Sequence, residues 1–247
     1  MPADDHYIES ASLSEAWLQA MRLSVDRHEI VPLVLNVTGF EHGRPVEDLR
    51  VREELDRKLL AFGKQTCRTV ANTIFPDSLW NPSRARSRLF ERYLRIYPRI
   101  RSHNRFGTYF ERLITGGPSS NRNQLDFAIE TYTARSGVRR SVLQLSVFDG
   151  ARDHTTAALR GFPCLQHVTF APYSSGLAVN GFYANQYMIE RAYGNYLGLC
   201  DLGRFVAHEL GLPLSRMTCF TGIAIRDINV GDLRRLISSI ERVTSMA

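Results

Sequence analysis

Apolar residues recur four apart at Leu13, Trp17 and Met21 behind Ser12, which predicts a helix over 11–25 with that serine as its cap. Residues 30–37 form a mostly apolar run of strand length, predicted to be buried on both faces. A helix is predicted over 47–62, ended by Gly63. A short strand or extended segment is expected over 69–75, closed by Pro76, and a helix over 83–97, stopped by Pro98. After a turn-rich link at 119–123 come a helix over 124–135, a strand over 141–148 and a loop over 150–156. Two strands, 164–171 and 177–187, flank a hairpin segment from Pro172 to Gly176. A long helix over 190–210 is stopped by Gly211 and Pro213, and a strand over 217–225 and a terminal helix over 231–246 complete the chain. This order predicts an α/β (α+β) fold in one domain, a mixed sheet with helices packed against it.

At 247 residues the chain is long enough for one sizeable core. No apolar run reaches the roughly 18 residues of a membrane span. The first ten residues are acidic and polar, unlike a secretion signal. Cys67, Cys164, Cys200 and Cys219 are scattered without CxxC spacing, which argues against a zinc site and a disulfide framework. A cytoplasmic protein with reduced thiols and no membrane association is expected. Net charge is +6, much of it between Arg84 and Arg112, where nine arginines meet only Glu91 and Glu111. That stretch reads first as a solvated helix face and second as a surface for anions. Without a zinc-finger or RRM signature, nucleic acid is not expected as a partner.

The candidate chemistry centres on Pro163-Cys164. An arginine pair, Arg139-Arg140, precedes it by about twenty-five residues, and Asn195 follows by about thirty. A thiol, an amide and two guanidiniums suit a pyrimidine nucleotide: a nucleophile for the ring, a reader for its edge and clamps for its phosphate. Cys164 with His167 or His208 would be a cysteine-hydrolase pair, but His167 falls on the opposite strand face and His208 near the far end of its helix.

The order helix, Arg139-Arg140, strand, Pro163-Cys164, hairpin, Gly194-Asn195, and then Val206-Ala207-His208-Glu209-Leu210-Gly211-Leu212, resembles the thymidylate synthase and deoxycytidylate hydroxymethylase superfamily. Phe106-Gly107 resembles the Tyr-Gly of that family. The resemblance lies in residues 116–247, with 1–115 a divergent N-terminal part of the same domain. It implies a thymidylate synthase-like fold and a homodimer in which Arg139 and Arg140 reach the other subunit's site. It implies that Cys164 adds to C6 of the pyrimidine so that C5 attacks a one-carbon electrophile. It also implies that Asn195 reads the ring edge, leaning toward uracil. Asn185, in the hairpin run, joins the expected substrate-binding residues.

The departures are as informative. Leu165 stands where the family has His, and the run Phe182 to Tyr187 lacks the family's Arg-Ser pair and Asp. The family's His-x-Tyr falls around Ile225-Arg226-Asp227, and the terminal helix replaces the tail that closes over folate. The expectation is therefore a pyrimidine nucleotide methylase or hydroxymethylase outside standard dTMP synthesis, with 5,10-methylenetetrahydrofolate a doubtful cofactor. The alternative is a relative that binds nucleotides without one-carbon transfer.

Overall fold

The computed structural model describes residues 6–104, 106–116, 122–134, 136–154, 156 and 163–245. The elements in chain order are β1 (Tyr7–Ser10), α1 (Leu13–Asp26), β2 (Glu29–Ile30), β3 (Leu33–Val37), β4 (Phe40–Glu41), β5 (Arg44–Pro45), α2 (Leu49–Ala61), α3 (Cys67–Ala71), α4 (Ser87–His103), α5 (Tyr109–Thr115) and α6 (Gln124–Thr133). They continue with β6 (Gln144–Ser146), α7 (Gly150–Asp153), β7 (Leu165–Tyr173), β8 (Gly176–Tyr187), α8 (Tyr193–Glu209), β9 (Leu214–Ile225) and α9 (Val230–Ser245).

Among the described residues, seven strands form one mixed sheet in the order β1-β3-β9-β8-β7-β6, with β2 also on β9. The β7–β8 hairpin is antiparallel, whereas β8 and β9 run parallel through the crossover helix α8. The N-terminal strands pair into this same sheet, so the divergent first part belongs to the same core.

The helices cover one face. Alternate residues Leu33, Leu35 and Val37 of β3, Met217 and Cys219 of β9, and Val179 and Tyr183 of β8 are fully buried there. The central helix α8 lies close because β8 offers it no side chain at one point: a Cβ on Gly181 would stand 2.6 Å from Leu199 Cδ1. On its other side, Cβ atoms on Gly194 and Gly198 would meet the backbone of α3, 2.6 Å from the Cys67 carbonyl oxygen and 2.9 Å from that of Ala71.

The opposite sheet face is the more exposed one among the described residues. There Asn36 donates to Tyr7 Oη and accepts from Thr218, and Phe182 and Phe220 stack 5.1 Å apart, with Tyr7 and Phe182 exposed.

Several expectations are corrected. Residues 67–71 are helical where an extended segment was predicted, because the Thr66 side chain caps Thr69 and the helix lies against the glycines of α8. Pro98 sits inside α4, which runs on to His103; the turn needs no backbone N–H there to remain helical. Residues 150–153 make a helical turn capped by Asp149 instead of a loop. Only 144–146 of the predicted 141–148 strand pair with β7, after a 3₁₀ turn at Arg140–Val142. The run 30–37 splits into β2 and β3, and its Val34 is only half-buried because it lies on the open sheet face. The predicted turn at 119–123 lies largely outside the described residues, as do Gly161 and Phe162.

Candidate functional site

Cys164 sits immediately before β7, where its carbonyl accepts the Ala184 N–H at 3.0 Å and Leu165 pairs with Tyr183. Two strands thus fix the thiol at one end of the hairpin. It is half-buried, whereas Cys67, Cys200 and Cys219 are buried. Burial pushes the Cys164 thiol up, and the Arg191 guanidinium pulls it back toward the thiolate.

Arg191 is placed by an irregular turn. Residues 188–192 form a π-helical lead into α8, and the Asp227 carboxylate accepts the N–H groups of Ile189 at 2.8 Å and Glu190 at 2.9 Å. The Arg191 guanidinium then donates to Gln65 at 3.1 Å and to Glu190 at 2.8 Å. Burial raises the Asp227 carboxyl, and the two backbone N–H groups offset part of that rise.

Tyr109 opens α5, whose first turn is capped by Thr108 accepting from the Glu111 N–H at 3.2 Å. Burial beside Cys164 pushes its phenol up to about 12, with the backbone of Leu165 and Cys164 and the charge of Arg191 working the other way. At neutral pH Tyr109 is a hydrogen-bond donor next to the thiol, not a base. Tyr183 and Tyr196 complete the surroundings; burial raises both phenols, and Tyr183 neighbours Tyr109, Cys219, Cys164 and Tyr196.

The hydroxyls of Tyr183 and Tyr196 and Nε2 of Gln186 are buried without a hydrogen-bond partner among the described residues. The other amide atom of Gln186 accepts from Thr221 at 3.3 Å, and Thr221 pairs with Tyr183 across the strands. Orphaned buried polar atoms are uncommon in folded proteins; these three gather around Thr221 and the buried Cys219, and of them Tyr183 also neighbours Cys164.

Asn195 reaches the same end. It is buried and lies one turn before Leu199 on the same helix face. Leu199 abuts Gly181, and Gly203, one turn further, abuts Val179, so α8 runs against β8 and Asn195 lies toward the Tyr183 end of that strand. Asn185 is exposed on β8, next to the Ala184 that holds the Cys164 carbonyl.

Arg139 and Arg140 do not join this group within one chain. Arg140 donates to the Pro172 carbonyl at 3.2 Å, at the turn end of β7, roughly 25 Å of strand away from Cys164. Both arginines are exposed. His208 is exposed and packs on Trp80 at the far end of α8, 5.5 Å between ring centroids, which leaves it no part in a thiol pair. His167 is half-buried, and burial lowers its imidazole. A bulge between Leu165 and His167 breaks the strict alternation that assigned it a face, but no hydrogen bond joins it to the thiol.

Tyr109, Tyr183, Arg191 and Tyr196 were not singled out from the sequence. Arg191 follows Glu190 at a helix start and reads as an ordinary first-turn residue. Tyr109 follows Phe106-Gly107, the one nearby signal of a functional segment. In comparisons with known proteins, the chain matches no protein-family model and no curated protein.

Proposed function

We propose that the protein is a pyrimidine nucleotide C5 one-carbon transferase that works through a covalent adduct on Cys164. The observation that carries this reading is the half-buried Cys164 thiol with Arg191 and the Tyr109 and Tyr183 phenols as its neighbours, at the end of β8 toward which Asn195 lies. The Cys164 thiolate adds to C6 of the ring, and the electron pair moves to C5 and the O4 enolate. Arg191 favours the thiolate, and the protonated Tyr109 phenol donates to the electron-rich ring. The Asn195 amide offers one donor and one acceptor to the N3–O4 edge, and Asn185 is a further polar group at the rim. C5 then bonds to a one-carbon electrophile, and loss of the C5 proton with expulsion of the thiolate from C6 restores the C5–C6 double bond with the new substituent in place.

The nucleotide phosphate then needs cations from elsewhere, since the arginine pair lies at the other end of its own strand. A homodimer joined through the open sheet face supplies them: the partner's pair serves the first chain's thiol. The stacked Phe182 and Phe220 and the exposed Tyr7 on that face support such an interface.

The residues do not fit a folate donor of the expected kind. α9 turns its apolar side, Leu233, Leu236 and Ile240, into the core against α1 and α2, so α9 is not a strap over Cys164. No step is assigned to folate. Burial of the Cys164 thiol favours the second reading, a nucleotide-binding relative without one-carbon transfer.

The test is release of tritium from 5-tritiated UMP, dUMP, CMP and dCMP, with Cys164→Ser as control, and mass spectrometry of Cys164 after incubation with a 5-fluoropyrimidine nucleotide. Release or an adduct that disappears in the variant supports transfer chemistry. Binding that is unaltered in Cys164→Ser, with no release and no adduct, supports the second reading and overturns the first.

A further inference from the structure

A second site lies at the other end of α8. Roughly 20 Å of helix separates Arg191, beside Cys164, from Arg204, whose guanidinium covers the Trp80 ring at 4.5 Å. Next to Trp80 is a cleft of about 290 Å³, near the lower end of the range for small-molecule sites. Leu79, Trp80 and Leu89 supply its apolar wall, and Arg84, Arg88 and Arg92 supply its cations.

The three arginines are spaced four apart, so they rise along one side of the chain entering and forming α4 and converge on this cleft. All three are exposed, and no acidic residue lines the cleft. Among the described residues Arg88 pairs with Glu91 alone, 3.2 Å away and largely in solvent, a pair of little worth. Arg92 is tied across the cleft by donating to the Leu79 carbonyl at 2.8 Å, which orients its guanidinium without neutralising it. Arg86, by contrast, is neutralised by Asp126 and Glu209 and lies outside the cleft. The Trp80 indole N–H is buried and carries no hydrogen bond among the described residues.

We infer that this cleft is a binding site for a chain of phosphates, distinct from the Cys164 site. Three exposed guanidiniums around one small concavity, only Arg88 in an ion pair among the described residues and that one in solvent, fit a ligand with three or more negative charges in a short span, and guanidinium forks match phosphate oxygens. The apolar wall leaves room for an organic group attached to that chain. The shared chemistry is the oligophosphate, from an inorganic polyphosphate or from a nucleoside triphosphate.

Only two tryptophans are present, and Trp17 is fully buried with its N–H donated to the Met188 carbonyl at 2.9 Å. Trp17 emits as a background remote from the cleft, and a ligand-dependent change in tryptophan emission reports on Trp80. The full chain is titrated with inorganic tripolyphosphate, a nucleoside triphosphate and a single-stranded oligonucleotide, followed by emission and by calorimetry. Saturable binding of tripolyphosphate or the triphosphate is expected, and whichever binds tighter names the source. Arg84→Ala with Arg88→Ala should weaken it at least tenfold. Arg95→Ala with Arg99→Ala, which removes the same charge from the same chain region outside the cleft, should change it less than twofold. Cys164→Ser should leave it unchanged, so this result stands apart from the thiol chemistry. Absence of saturable binding, equal losses in the two double variants, or binding of the oligonucleotide alone would overturn the inference.

Discussion

The most quantitative consequence concerns Asp201. Its carboxylate is buried on α8, 2.5 Å from Arg68 and 3.9 Å from Arg44. Burial nevertheless dominates: the Asp201 carboxyl is pushed up to about 6 from an ordinary 3.8, with Asp77 nearby adding to the rise and Arg68 and Arg204 opposing it. Folding therefore binds a proton. Below the ordinary value both states are protonated, and the group is neutral with respect to folding. Between the two values the folded state holds more proton than the unfolded chain, so stability falls as pH rises; above about 6 the loss is complete. A gap of about two units corresponds to roughly 3 kcal/mol. Asp201→Asn removes the titration while keeping the shape. Urea unfolding of both proteins from pH 3.5 to 7.5 isolates the group, because carboxyls shared by the two cancel in the difference. Wild-type stability relative to Asp201→Asn should decline by about 2.4 kcal/mol between pH 4 and 7, the rest of the roughly 3 kcal/mol falling outside that window. A flat difference, or one that rises with pH, would mean that the Arg68 pair outweighs desolvation and would refute the reasoning.

Other consequences are simpler to check. Native alkylation with iodoacetamide followed by peptide mass spectrometry should label Cys164 well before the three buried cysteines, and Arg191→Gln should slow that labelling at fixed pH by removing the charge that favours the thiolate. Gly194→Ala places a Cβ 2.6 Å from a backbone oxygen of α3, which cannot rotate away, and should lower stability by about 1–3 kcal/mol in urea unfolding. Arg112 grips Asp153 through two bonds of 2.6 and 2.8 Å in a largely buried pair; burial alone would raise that carboxyl, but Arg112 holds it below its ordinary value. Arg112→Met leaves the acid unpaired and should cost about 3–5 kcal/mol, most of it recovered when Asp153→Asn is added.

The parts of the fold that were legible are those in which local pattern and tertiary role agree. The hairpin announced itself through alternation on both sides of a turn, and α8 through its length and the Gly211-Leu212-Pro213 stop. α3 was not legible, because what makes residues 67–71 helical is a groove of glycines more than a hundred residues away. Pro98 misled for a different reason. It marks a missing N–H, and a long amphipathic helix anchored by Leu89, Phe90 and Tyr93 outlasts one lost bond.

The same division runs through the candidate site. Cys164 and Asn195 were visible because each sits at the boundary of a regular element, where a polar residue stands out against the pattern. Tyr109 and Arg191 were hidden because their roles depend on packing between segments far apart in sequence. Tyr109 comes from a short helix with no periodicity to mark it. Arg191 comes from a π turn whose geometry is set by Asp227, on the far side of β9 in the chain. The β8 run from Phe182 to Tyr187 carries no arginine. Arg191, four residues beyond the end of that strand, supplies a guanidinium to the same neighbourhood from the helix side. The charge that the hairpin lacks has a counterpart at the helix entrance, which makes the thiol's electrostatics depend on the turn at 188–192, not on the strand.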